Sequence, residues 1–303
     1  MPVQNTLKSA FKWSGPGLHT GRLTTVRLLP AAENSGIRFR RIDLDGQPEI
    51  PAHINSLHST DRSTNLANGT ARVHTVEHLL SALAAARIDN ALIEIDGPEV
   101  PILDGSAQPF VAGIEPEAQA AEREVFVLKK SIRYDNGRGT RIEAHPADEL
   151  ILESTIDFGQ PPIGRQTATL TDLNDFATEI SRARTFCFLD EIELLYDHGL
   201  IRGGDISNAV VFVREEMPEL EVERIAQKIG KPDLYARDSG TLTNTELRYP
   251  DEPGRHKLLD LLGDITLLGC PVQARIVAVR PGHAANAAFT KLLYDQLQSD
   301  RSS

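Results

Sequence analysis

Long apolar runs are missing from this sequence. No stretch of its 303 residues approaches 18 consecutive apolar positions, which excludes a membrane-spanning helix. The start, MPVQNTLKSAFKWSG, has no apolar core segment, so no signal peptide is read. Cysteine is scarce. Cys187 and Cys270 make no disulfide framework, and among apolar neighbours they read as buried reduced thiols, in keeping with a reducing cytoplasm. Positive charge is in deficit: 32 Lys and Arg stand against 43 Asp and Glu, a net charge of −11. An acidic surface argues against broad electrostatic binding to nucleic acid or to an anionic membrane. It leaves room for a small anionic ligand held by a few local cations.

What is present is ordinary for a soluble globular chain, 40% hydrophobic and 25% charged, and long enough for one large domain or two ordinary ones. Strand patterns open the first half at 23–30 (LTTVRLLP) and 37–44 (IRFRRIDL). A helical stripe follows at 75–87, where Val76, Leu79, Leu80, Leu83 and Ala84 recur at i, i+3, i+4, i+7 and i+8. Next come a strand at 90–97 and a turn with a short helix in PILDGSAQPFVAGI. The polar stretch 115–124 (EPEAQAAERE) reads as a linker or outer edge between halves. Strand signals return at VFVLKKSIRYD, TRIEAHP and LILESTIDF. A helix is expected at 188–200, a strand at 207–213, a helical pattern at 254–269, a strand at 272–281 and a helix at 283–297. Both halves run strands, helix, strand, turn, helix. That is a weak internal repeat of element order, and it predicts two α+β halves that can pack face to face around a cleft.

Two pairs of candidate metal ligands sit at i, i+4 spacing, about 40° apart on a helix. One is His74 and His78, in the H-x-x-E-H stretch HTVEH; the other is His256 and Asp260 in GRHKLLDLLGD. Asp264 extends the second pair into a polar stripe, which reads either as a solvated helix face or as a cation site. For the first pair the helix boundary decides. If Thr75 is the N-cap, His74 lies outside the helix and the i, i+4 geometry fails. Glu77 then occupies the first turn, where the helix dipole favours a carboxylate. Gly282 permits an unusual turn before His283, which would open the last helix at the end of a strand.

Taken together, GPGLHTG, TVEHLLSAL, PILDGSAQPFV, SRARTF, DEPGRHKLLDLLGD and PGHAAN resemble the UDP-3-O-acyl-N-acetylglucosamine deacetylases, over about residues 5–297. The resemblance implies an α+β sandwich of two similar halves with the helices inside and a zinc site in the cleft. The halves would be 1–124, carrying T-V-E-H, and 125–303, carrying H-K-x-x-D and G-H. A strand-helix-strand insert around 186–213 would receive an acyl chain. It implies hydrolysis of the N-acetyl group of UDP-3-O-(3-hydroxyacyl)-N-acetylglucosamine, the committed step of lipid A synthesis in Gram-negative bacteria.

The implied zinc ligands are His78, His256 and Asp260, with iron(II) fitting the same donors, since nitrogen and oxygen ligands do not by themselves select zinc. Glu77 would be the general base and His283 the general acid. Asp264 would hold His283 cationic, Thr185 would stabilise the oxyanion and Lys257 would add positive charge. Phe158, Phe186 and Arg280 are implied for the nucleotide-sugar. For both phenylalanines core packing is the competing reading. Ile201, Gly203, Gly204 and Val211 are candidates for the acyl passage. The resemblance assigns no role to His74, and the passage 58–70 (HSTDRSTNLANGT), which holds His58 and Arg62, matches the family only loosely and leaves their roles open. A monomer is expected, without a transmembrane anchor and touching a membrane surface at most transiently, and without the hydroxyacyl dehydratase fused in some relatives. The competing class is an H-x-x-E-H metalloprotease with His74 and His78 both ligating; that reading leaves His256, Asp260 and His283 unexplained.

Overall fold

The computed structural model describes residues 2–198, 201–205, 207–243 and 246–302. Its chain is α+β, built on two five-stranded sheets of matching topology. In the first sheet Phe11–Pro16, Leu23–Pro30, Ala91–Ile95, Ile37–Arg41 and Glu49–Pro51 lie side by side. In the second the order is Ile132–Asp135, Arg141–His145, Arg275–Val279, Ile151–Asp157 and Arg165–Leu170. In each, the last strand in sequence takes the centre. It runs antiparallel to the second strand and parallel to the third. The repeat of element order is thus a repeat of strand topology, carried by different residues.

A parallel neighbour cannot be reached by a tight turn and needs a crossover. In the first repeat the crossover contains α1 (Glu77–Ala85), and α2 (Gln108–Val111) follows the sheet. The second repeat holds α3 (Phe176–Glu179), α4 (Leu189–Asp197), α5 (Glu219–Lys228), α6 (Glu252–Ile265) and α7 (His283–Arg301). Its crossover contains α6. Each crossover helix lies on its own sheet. Leu79, Leu80 and Leu83 of α1 share a core with Val26, Leu28 and Ile93. Leu258, Leu261 and Leu262 of α6 share one with Ile142, Leu152 and Ile276. The other faces of α1 and α6 pack against each other, so the helices form the inside of the sandwich.

That contact depends on Gly263. A Cβ there would run into the backbone carbonyl of Glu77, so only glycine lets the two helices cross this closely. The crossing also explains why α1 is buried on every side from Glu77 to Leu83. The solvated-face reading of His256, Asp260 and Asp264 is overturned by the same packing: all three are buried.

Other expectations change in detail. The 115–124 stretch contains a strand, Pro116–Glu122, which pairs antiparallel with Val3–Leu7. Its exposed polar side chains concealed a backbone that satisfies its own hydrogen bonds by pairing. The strand expected at 37–44 ends at Arg41, and the last helix runs on to Arg301. The helix expected over 188–200 begins at Leu189, and its final two positions lie outside the described residues. Before it, Phe186–Phe188 pairs parallel with Val210–Phe212. Helix α5 was not anticipated. It packs on α4 through Val222 and Ile225 against Leu189 and Ile192, and Arg224 and Lys228 bridge to Glu193.

Candidate metal and catalytic centre

Helix α1 enters the site without a side-chain cap. Val76 occupies the cap position, and the expected cap, Thr75, has φ +57° instead. Its hydroxyl donates to Glu99 Oε1 at 2.9 Å. Fully buried Glu99 also accepts the backbone N–H groups of His19 and Thr20, so it ties the 17–20 loop to the start of α1. His74 stays outside the helix even so, and its Nδ1 lies 2.9 Å from Asn65 Oδ1. It is not among the residues that converge with His78, which removes the support for the protease reading.

His78 from α1 meets His256 and Asp260 from α6. The two imidazoles are edge to face, 5.0 Å between centroids, and one nitrogen from each ring and a carboxylate oxygen all lie within 4.8 Å of one another. Asp260 Oδ1 stands 3.4 Å from His256 Nε2 and 3.8 Å from His78 Nε2. Its partner oxygen, Oδ2, accepts Lys257 Nζ at 2.8 Å. Oδ1 itself is buried with no hydrogen-bond partner among the described residues. His256 Nδ1 lies 3.0 Å from the Ala183 carbonyl; because a carbonyl only accepts, Nδ1 carries the hydrogen and Nε2 keeps its lone pair.

Burial holds His78 down to about 3 and lowers His256 as well, so both rings are neutral. Burial opposes a charge on Asp260, but the nearby positive charge, that of Lys257 foremost, outweighs it and holds the carboxyl well below its usual range. Two neutral imidazoles and one carboxylate, whose Oδ1 is the orphaned oxygen, form a donor set that fits a divalent cation with a coordination position left open.

A second cluster adjoins the first. His283, the first residue of α7, places Nε2 at 3.7 Å from Glu77 Oε1 and Nδ1 at 3.0 Å from Asp264 Oδ2. Asn286 Nδ2 donates to the same Asp264 oxygen at 2.8 Å. Burial raises the Glu77 carboxyl to about 8, with Asp260 and Asp264 adding to it. Burial works against a charged His283, but Asp264 and Glu77 outweigh it and raise the ring to about 9.

The remaining candidates spread outward. Thr185 lines a cavity of about 340 Å³ with Phe186, Ile201, Gly204 and Val211. Gly203 stands behind that wall, its backbone against Gly17. Lys257 Nζ lies 5.6 Å over the Phe186 ring. Phe158, Phe186, Phe188 and Phe212 form an edge-to-face aromatic cluster, of which Phe158 is the exposed member. Arg280, at φ +50°, is half exposed at the end of the central strand, 3.5 Å from Asp157. Arg62 lines the cavity, and His58 is exposed away from it. Sequence reasoning missed Thr64, Glu99, Asn286 and the Ala183 carbonyl. None of the quoted motifs covers Thr64 or Glu99, and the 58–70 passage around Thr64 resembles the family only loosely.

A family model described as LpxC, UDP-3-O-acyl N-acetylglycosamine deacetylase, matches residues 4–229 and 232–295. The chain belongs to this deacetylase family. Among relatives, the UDP-3-O-acyl-N-acetylglucosamine deacetylase of Thermosynechococcus vestitus is 43% identical over 297 residues, 97% of this chain and 95% of that protein. The deacetylase of Chlamydia felis is 38% identical over 300 residues, 98% of each chain. The bifunctional enzyme LpxC/FabZ of Chlorobaculum tepidum is 43% identical over 297 residues, 96% of this chain but 64% of that protein. The chain therefore spans just under two thirds of that relative's length. Among the described residues, no helix is long and apolar enough to cross a membrane.

Proposed function

We propose that the protein is a zinc-dependent amidohydrolase that removes the N-acetyl group of UDP-3-O-(3-hydroxyacyl)-N-acetylglucosamine, releasing acetate, as the committed step of lipid A synthesis in the cytoplasm of a Gram-negative bacterium. The observation that carries this reading is the orphaned Asp260 oxygen between two neutral histidines, set beside the Glu77–His283 pair, in a chain of the deacetylase family. His78, His256 and Asp260 would hold the ion, with iron(II) able to take the same donors. When bound, the ion supplies Lewis-acid polarisation of the amide carbonyl and lowers the pKa of water toward roughly 7.

The chain's own groups do the proton work. Glu77 Oε1 faces the site and takes the proton of the attacking water; burial puts this carboxyl in the range where it can accept and hold a proton near neutral pH. The Thr185 hydroxyl donates to the developing oxyanion. Lys257 adds positive charge beside Asp260. An amide nitrogen cannot leave as an anion, so a proton must reach it as the C–N bond breaks. His283 Nε2 donates that proton, and Asp264 keeps the ring charged for it. The products are acetate and the free amine.

Phe158 and Arg280 lie on one exposed edge and would meet the uridine diphosphate, while Phe186 would contact the sugar. Ile201, Gly204 and Val211 would face the acyl chain in the 340 Å³ cavity, with Gly203 supporting the wall from behind. The reading divides the chain at 124/125 with the insert at 186–213, and describes a monomer that touches membrane surfaces only transiently and binds no nucleic acid. The test is acetate release from the UDP-linked substrate by the wild-type chain and by His78→Ala. Turnover that collapses in the variant supports the reading. A wild-type chain with one metal ion bound and no turnover across several acyl lengths would sink it.

A further inference from the structure

Thr64 lies in the passage that the motifs describe least well, yet it is buried and touches both proton-handling groups. Its backbone carbonyl accepts the N–H of Val76 at 3.3 Å, the position before α1. Its backbone N–H donates to Glu77 Oε2 at 3.1 Å. Its hydroxyl donates to Asp264 Oδ1 and lies 3.2 Å from His283 Nδ1. These partners belong to α1, α6 and α7, 13, 200 and 219 residues away.

We infer that Thr64 is a positioning residue that assigns one oxygen of each carboxylate to structure and leaves the other to the reaction. On Glu77, the backbone N–H engages Oε2, so Oε1 is the oxygen turned toward His283 Nε2. On Asp264, the hydroxyl engages Oδ1, so Oδ2 receives His283 Nδ1 and Asn286 Nδ2. A carboxylate held by a single oxygen can swing about its Cβ–Cγ bond. Held at both, it fixes the plane of the imidazole that it faces. The inference rests on the deacetylase reading for the roles of Glu77 and His283. The hydrogen bonds themselves do not depend on that reading.

The bland alternative is that Thr64 only packs where the two halves meet. Thr64→Val separates the two, because it keeps the branched shape and the backbone N–H and deletes only the hydroxyl. Thr64→Ser keeps the hydroxyl and deletes the methyl. Steady-state acetate release is measured per folded, metal-loaded chain, with metal content read independently by elemental analysis.

The expected result is a fall in kcat of about 10- to 100-fold for Thr64→Val, from loosened placement of a reacting group. KM stays within about twofold, metal content is unchanged, and Thr64→Ser recovers most of the rate. On an Asp264→Ala background, Thr64→Val should cost little, because the carboxylate that the hydroxyl holds is gone. Wild-type kcat in Thr64→Val, or equal losses in the valine and serine variants, would overturn the inference. So would full additivity with Asp264→Ala. If the valine variant does not fold, Thr64→Ser decides: a near wild-type kcat supports the hydroxyl role, and a lost kcat overturns it. A wild-type chain that releases no acetate removes the deacetylase reading instead, so the two failures are distinguishable.

Discussion

Replacing Asp264 with Asn removes one negative charge from a buried cluster while keeping its shape. The carboxylate accepts three hydrogen bonds: one on Oδ1 from Thr64, and two on Oδ2 from His283 Nδ1 and Asn286 Nδ2. An Asn oxygen can take the place of Oδ2. Its amide then faces Thr64, whose hydroxyl can turn to accept instead of donate. The geometry survives and the charge does not. His283 stands at about 9, above the 6.5 of an ordinary imidazole, and Asp264 is the largest influence raising it. A close opposite charge typically shifts such a group by about 1–3 units, so the variant should titrate at roughly 6–8. At about 1.36 kcal/mol per unit, that is roughly 1.4–4 kcal/mol between the two charge states. A cation on Asp260 lowers the ring in both proteins, so the quantity to compare is the difference.

The assay is kcat/KM for acetate release from pH 5.5 to about 10, where the basic limb reports the loss of the proton donor. That limb should move down by about 1–3 units in Asp264→Asn. A stability signature accompanies it. A raised histidine stabilises the fold fully below about 6.5 and loses that contribution as pH rises through about 9. The wild-type Tm should therefore fall across this window, and the variant's should fall less. A basic limb that stays in place while the rate drops uniformly at every pH would refute the role given to Asp264.

Three other perturbations test separate parts of the structure. Gly263→Ala puts a methyl group into the Glu77 carbonyl, so urea denaturation should show a loss of about 1–3 kcal/mol, with metal content falling as α1 and α6 part. Glu252→Gln weakens the buried pair with Arg184, which also holds the chain beside Ala183; chemical denaturation should show a loss of about 3–5 kcal/mol. His74→Ala should leave the metal stoichiometry at the wild-type value by elemental analysis. A loss of the ion there would revive the H-x-x-E-H reading.

Much of the site could be read before folding because its motifs are local. His256 and Asp260 sit one helical turn apart in any helix, and Glu77 beside His78 needs only a helix start nearby. Thr75 shows the limit of that reasoning. Its side chain could have capped α1, but a buried carboxylate 24 residues away claimed the hydroxyl, and the backbone turned left-handed. The 115–124 stretch shows another limit. Its composition is that of a loop, and only a partner strand at the other end of the first half makes it a strand.

By itself, the sequence determined the spacing of the paired candidate ligands and the order of the main elements, with α5 and the Pro116–Glu122 strand as the exceptions. These depend on neighbours within a few residues. Tertiary structure alone decided that the crossover helices of two sheets meet at Gly263, that the polar stripe of α6 faces inward, and that Asp260 keeps one oxygen without a hydrogen-bond partner among the described residues. It also decided that Thr64 reaches three helices at once. Burial and long-range pairing set those outcomes, and neither is a property of any short stretch of chain.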